Sequence, residues 1–150
     1  MIMEFDRKTI QTKIEFIEDN LIKLEQLSPM SFDEFMADFR NLDSALHRLQ
    51  TAIEAMIDIC AHFVGRLRLG APSESADLIR ALEKAGLLSK EHADKYVNMV
   101  KFRNLVVHLY AEVDDRQVYD ILQNNLDDFR TFIADAWRIV RSKQERAKNE

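Results

Sequence analysis

The stretch RNLDSALHRLQTAIEAMIDICAHFVGRLRL, residues 40–69, carries the clearest pattern in the sequence and decides the fold class. Its apolar residues recur at alternating steps of four and three: Leu42, Leu46, Leu49, Ile53, Met56, Cys60, Phe63 and Leu67. This spacing puts them on one face of an α-helix. The pattern therefore predicts a long helix over about Arg40–Leu69 that buries this face, with Gly65 able to bend or loosen its end.

Similar signals predict the other helices. A helix over Asp6–Leu27 should stop at Ser28-Pro29, because the residue before proline avoids the helical region. Ser31 and Glu34 have the spacing of a capping box, which should open a short helix or bend over Phe32–Phe39. Three more helices are predicted after the break at Gly70–Ser73: Ser75–Ala85 with Gly86 as its C-cap, Ser89–His108, and a helix that begins at Asp114 and carries an apolar stripe to Val140. Residues 141–150 are expected to fray.

The architecture predicted from these segments is all-α. The sequence has no hairpin signal and no internal repeat, and only three glycines and two prolines interrupt it. Its 150 residues fit one domain, residues 1–150, which we expect to be an up-and-down bundle of four main helices plus a short one.

Composition limits the function classes. The formal net charge of −5 argues against a protein that binds nucleic acid over its whole surface, so any RNA contact must use a local basic site. A single cysteine, Cys60, excludes an intramolecular disulfide or a cysteine zinc cluster, and no metal-binding spacing occurs. We expect no metal and no cofactor. No apolar run is long enough for a membrane span or a signal peptide, so we expect a cytoplasmic protein that does not contact membranes.

One segment differs from ordinary core sequence. In FRNLVVHLY, residues 102–110, the polar residues Arg103, Asn104 and His108 are embedded among apolar ones. Charged arginine is rarely buried without a partner or a task. His108 could accept a proton from a ribose 2′-hydroxyl or give one to the leaving 5′-oxygen, and Arg103 could bind the phosphate. The competing interpretation is structural: the arginine pairs with an acid and the histidine bonds a backbone carbonyl.

Helix geometry separates these residues. In a continuous helix Asn104 and His108 lie about 40° apart around the axis, whereas Arg103 and His108 lie about 140° apart. Asn104 could therefore orient the imidazole or bind the phosphate. Arg103 and His108 can serve one phosphate only if the helix ends near His108 or if two copies of the segment meet across a symmetric dimer.

The motif Arg103, four residues, His108, Leu109, Tyr110 resembles that of HepT-like toxins of the HEPN superfamily. Asn104 fits the resemblance, as do Val113-Asp114 and the stretch from Val118 to Leu122. The resemblance implies a homodimeric, metal-independent ribonuclease toxin of a type VII toxin–antitoxin system, with a composite Arg–His site. It also implies a partner, a minimal nucleotidyltransferase antitoxin of the MntA kind, which transfers AMP units to the motif tyrosine, here Tyr110.

Two other functions fit the same bundle. The chain could be a non-catalytic adaptor or substrate-binding subunit of a nucleotidyltransferase, or a purely structural dimer. Arg66 and Arg68 are further possible RNA contacts, although cations at a helix C-terminus also suit the helix dipole.

Overall fold

The computed structural model describes residues 5–149, with side chains up to Lys143, and every regular element within these residues is helical. This confirms the predicted all-α class. The elements are α1 (Arg7–Leu27), α2 (Phe32–Ala37), α3 (Phe39–Arg66), α4 (Ser75–Lys84), α5 (Lys90–His108), a 3₁₀ turn (Tyr110–Glu112), α6 (Asp115–Asn124) and α7 (Asp127–Asn149). None of the described helices is long and apolar enough to cross a membrane.

The predicted helix starts are confirmed by their caps. The Asp6 side chain accepts a hydrogen bond from the backbone of Thr9, and Ser89 accepts one from the backbone of His92. Ser31 and Glu34 form the full capping box. These bonds satisfy backbone N–H groups that have no partner inside the helix. Gly86 follows α4 with φ +78, the left-handed conformation that a glycine C-cap supplies.

The segment from Asp114 to Val140 does not form the single helix predicted. It is divided into α6 and α7 by a break at Asn125-Leu126. Asparagine is a weak helix former, and the acids Asp127 and Asp128 suit the positive end of a new helix. The bundle therefore has four long helices and three short ones within the described residues.

Two helix ends also differ from the prediction. Helix α3 ends at Arg66, three residues early, and Arg68 follows with φ +54. The Leu69 N–H donates to the Val64 carbonyl oxygen at 3.0 Å, which is the hydrogen bond that ends a helix in a Schellman motif. Helix α7 continues to Asn149, so the prediction of fraying from Arg141 is wrong for the backbone up to that residue.

The long helices pack around one apolar cluster. Helix α1 lies antiparallel to α3: Phe5, just before α1, packs edge-on against Phe63 near the end of α3, and Asn20 later in α1 bonds Thr51 earlier in α3. Cys60 lies inside this cluster, and burial raises the pKa of its thiol to about 12. Its side chain is therefore a core residue rather than a reactive thiol.

A polar network joins α5 to α7. The Asp135 carboxylate lies 2.5 Å from the Tyr96 hydroxyl and 2.8 Å from Nδ1 of His92. Arg138 contributes a further bond at 3.2 Å. Since Asp135 is nearly buried, these donors satisfy a carboxylate that would otherwise be costly to bury. The network fixes the first half of α5, and so the direction in which its second half points.

Candidate functional site

The polar residues of the 102–110 segment lie in the last two turns of α5 and just beyond them. Earlier in the helix, Ala93, Tyr96 and Val100 occupy its buried face. Arg103 and Asn104 continue this face at steps of three and four residues, but there they are only partly buried. Polar groups thus replace apolar residues on this side of the last turns of α5, while Phe102 and Val106 remain buried.

The guanidinium of Arg103 has two partners. Its Nε donates to Oε1 of Glu54 on α3 at 3.4 Å, and its Nη1 donates to Oδ1 of Asn104 at 3.1 Å. The Arg103 side chain is 24% exposed and that of Glu54 is 36% exposed. The structure therefore holds the cation against α3, with both side chains partly exposed.

Glu54 has a second contact on its own helix. Nε2 of Gln50, one turn earlier on α3, donates to Glu54 Oε1 at 2.9 Å. Gln50 and Glu54 are functional candidates that were not singled out from the sequence. A usable signal was present, because Gln50, Glu54 and Asp58 recur every four residues on the polar side of α3.

His108 is the last residue of α5 and is exposed. The predicted helix end near His108 is therefore confirmed. Within the described chain, no hydrogen bond or ion pair holds its imidazole. No hydrogen bond joins Asn104 to this ring within the described chain, and the Asn104 amide oxygen accepts from Arg103. Arg103 and His108 are not brought together by one copy of the chain.

Tyr110 begins the 3₁₀ turn after α5, and its residue is 58% exposed. Val107 and Leu109 beside it are also large, apolar and exposed. Solvent-facing apolar groups around polar ones are typical of surfaces that bind another molecule.

Arg66 and Arg68 lie away from this group. Arg66 closes α3, and along that helix the distance from Glu54, the partner of Arg103, is about 18 Å at 1.5 Å per residue. Arg68 lies beyond it on the exposed surface. Arg66 sits instead near Asp6 and His62, whose pKa values both respond to its charge.

The described residues contain no group of three or more His, Cys, Asp or Glu side chains arranged to hold a metal ion. The chemistry that the α5 end offers is that of a fixed cation, a neutral amide, an imidazole and a phenol. These groups can bind a phosphate and move protons.

Comparison with known proteins gives consistent matches. A family model described as Ribonuclease HepT-like matches residues 17–136. An mRNA nuclease HepT of Shewanella oneidensis is 36% identical over 100 residues, which cover 67% of this chain and 75% of that protein. A tRNA nuclease HepT of Aphanizomenon flos-aquae is 26% identical over 124 residues, covering 83% of this chain and 84% of that one.

The solved structures agree. The tri-AMPylated Shewanella oneidensis HEPN toxin, determined in complex with its MNT antitoxin, superimposes with a TM-score of 0.78 and 32% sequence identity. The match covers 85% of this chain and 95% of the toxin chain. The predicted HEPN-type bundle is thereby confirmed.

Proposed function

The chain belongs to the HepT-like ribonuclease family, and from this premise we propose that it cleaves RNA without a metal ion, at a composite site formed by the α5 ends of two copies. As a member of this family it is an endoribonuclease of the HEPN type and the toxin of a toxin–antitoxin pair. The observation that carries the proposal is the end of α5, where a held Arg103 and an exposed His108 flank the last helical turn.

In the proposed reaction Arg103 binds the phosphate that is cut. Its planar guanidinium matches two phosphate oxygens and stabilises the extra negative charge of the transition state. Asn104 and Glu54 use only two of the five guanidinium N–H groups, so donors remain for the phosphate.

His108 moves the protons. An imidazole can accept or donate a proton in the neutral pH range, so it can act as a base or as an acid. One His108 takes the proton of the ribose 2′-hydroxyl as this oxygen bonds to phosphorus. The His108 of the second copy, in its protonated form, gives a proton to the 5′-oxygen as the P–O5′ bond breaks. The products are a 2′,3′-cyclic phosphate and a 5′-hydroxyl.

Two copies are needed because the two side chains of one copy diverge. The exposed Val107 and Leu109 beside the motif supply apolar surface for a two-fold contact. Such a contact would bring two arginines and two histidines into one cleft, where the RNA lies.

The proposed antitoxin is a minimal nucleotidyltransferase of the MntA kind, since the Shewanella toxin is AMPylated and bound to such a partner. The proposed acceptor is Tyr110, whose residue is 58% exposed. Added AMP units would place phosphates and bulk beside Arg103 and His108 and block the RNA. Arg66 and Arg68 would contact only an RNA that extends about 18 Å or more beyond Arg103.

The test is cleavage of a labelled RNA by Arg103→Ala and His108→Ala, each purified and checked for helicity and oligomeric state. We expect losses of at least about a hundredfold, as is usual when a general acid–base group is removed. Arg141→Ala, which removes an exposed arginine of α7, should cleave like the wild type. Wild-type cleavage by both site variants would overturn the proposed site. No cleavage by the wild type at any protein concentration would favour the non-catalytic adaptor.

A further inference from the structure

The ion pair between Arg103 and Glu54 connects the two helices that border the site. The contact runs from Nε of Arg103 to Oε1 of Glu54 at 3.4 Å, across 49 residues of sequence. Glu54 thus accepts from Nε of the guanidinium, and Asn104 accepts from Nη1. The Nη2 group donates to no other described residue, so its N–H groups remain available to a phosphate.

Glu54 is itself held in place. Its Oε1 accepts from Gln50 at 2.9 Å as well as from Arg103, so one oxygen is shared between two donors. Four side chains thus form a continuous line: Gln50, Glu54, Arg103 and Asn104. An arginine side chain has many rotamers of similar energy, and a fixed carboxylate at its Nε restricts them.

A carboxylate beside a phosphate-binding cation has two opposite effects. It orients the guanidinium, but it also offsets part of the positive charge that the phosphate needs. The 3.4 Å contact is longer than the 2.7–2.9 Å of a tight charge-assisted bond. Both side chains also remain partly exposed, which weakens their Coulomb attraction further. Glu54 therefore offsets only part of the charge of Arg103, while it still contacts Nε and leaves Nη2 for a phosphate.

We propose that Glu54, set by Gln50, is a positioning residue that holds Arg103 with its free edge toward the scissile phosphate. This inference rests on the proposed function, in which Arg103 contacts the phosphate. Glu54 does not touch the RNA and transfers no proton. It acts in the free protein, before the substrate arrives, so that the cation does not have to be ordered during the reaction.

The experiment compares kcat and KM for RNA cleavage by Glu54→Ala, Glu54→Gln and a matched control, Asp58→Ala. Asp58 lies one turn further along α3 and forms an exposed ion pair with Lys13 at 2.9 Å. Glu54→Ala should lower kcat by roughly tenfold to a hundredfold, because a misplaced catalytic group costs about that much, with little change in KM. Glu54→Gln should recover most of this loss, since its amide oxygen can still accept from Nε. Asp58→Ala should match the wild type.

A double-mutant cycle with Arg103→Lys shows whether Glu54 acts through the arginine. Lysine has no Nε edge for Glu54 to hold, so Glu54→Ala should cost far less in the Arg103→Lys background than in the wild type. If Glu54→Ala destabilises the fold, Gln50→Ala supplies the second test, with a smaller loss in kcat expected.

The outcomes separate the two hypotheses. Full or increased kcat in Glu54→Ala, with Arg103→Lys impaired, overturns the positioning role and leaves the catalytic role of Arg103 standing. Equal losses from Glu54→Ala in both backgrounds also overturn it. Wild-type cleavage by Arg103→Lys and by Arg103→Ala would overturn the proposed function itself.

Discussion

Arg103 and His108 are five residues apart on α5, yet their side chains leave the helix in directions about 140° apart. Arg103 lies toward α3 and pairs with Glu54, whereas His108 ends the helix in solvent. One chain therefore presents its cation and its imidazole to different directions, and a site that needs both must be completed by a second chain.

A charge in the exposed apolar surface formed by Val107 and Leu109 should therefore abolish RNA cleavage together with dimerisation. Val107→Glu places a charge on a residue that is 40% exposed and lies beside Arg103. We expect a monomer by light scattering and a loss of RNA cleavage of at least about a hundredfold, as when a general acid–base group is lost. Ile22→Glu on α1, at a residue that is 58% exposed, is the control and should stay dimeric and active. A fully active Val107→Glu monomer would contradict the composite site.

Tyr110 should be the point of control rather than a catalyst. Tyr110→Phe keeps the ring and removes only the hydroxyl, so the variant should cleave RNA at the wild-type rate. After incubation with the antitoxin and ATP, mass spectrometry should find AMP units on the wild type and none on the variant. An equal number of AMP units on both proteins would place the acceptor elsewhere.

Arg68 offers a test that separates backbone strain from RNA contact. Its φ of +54 is unfavourable for any residue with a Cβ. Arg68→Gly should leave the free energy of unfolding unchanged or raise it by up to about 1 kcal/mol, since relief of strain exceeds the added chain entropy. Arg68→Ala removes the same side chain and keeps the strain.

Both Arg68 variants should cleave a short RNA as the wild type does, because Arg68 lies about 18 Å or more from the partner of Arg103. Weaker binding of a long RNA by both variants would support the predicted contact at Arg68. Loss of cleavage of the short RNA by both would show that the site reaches further than this fold suggests.

Stability should fall as the pH decreases from 7 toward 5, with His62 contributing. Burial, with the nearby charge of Arg66, lowers the pKa of His62 below its usual 6.5, although Asp6 acts in the opposite direction. Nε2 of His62 also accepts the backbone N–H of Asp6 at 3.1 Å, which requires that nitrogen to be unprotonated. Since the folded pKa is below the unfolded one, the contribution is complete above about 6.5 and is lost as the pH falls through the folded value.

Chemical denaturation at several pH values measures this contribution. His62→Gln can still accept the Asp6 N–H but does not titrate, so its stability should depend less on pH between 7 and 5. Identical pH profiles for the two proteins would show that His62 does not contribute.

The helices could be predicted because their apolar residues recur with the helical period, as in Ile10, Ile14 and Ile17. The break at Asn125 was missed because the apolar stripe continues through it from Leu122 to Phe129, so periodicity alone gives no sign of two helices. Asn125 is a weak helix former and favours a break, but the uninterrupted apolar stripe favours one continuous helix.

The residues of the local motif could be predicted from the sequence, but their partners in the folded chain could not. Arg103, His108 and Tyr110 belong to one local motif, so their order along the chain was enough to select them. The partner of Arg103 is one of 26 acidic residues, and only the packing of α3 against α5 selects Glu54. Asn104 was expected beside His108 from helical geometry, but its own neighbour Arg103 offers a charged donor and takes its amide oxygen.

The most direct test of the central claim is cleavage of a defined RNA by the purified wild-type protein in excess EDTA, followed by analysis of the new ends. We predict cleavage at the rate seen without EDTA, with 2′,3′-cyclic phosphate and 5′-hydroxyl ends, because His108 and Arg103 supply the chemistry. No cleavage in EDTA, or 3′-hydroxyl and 5′-phosphate ends, would contradict the claim.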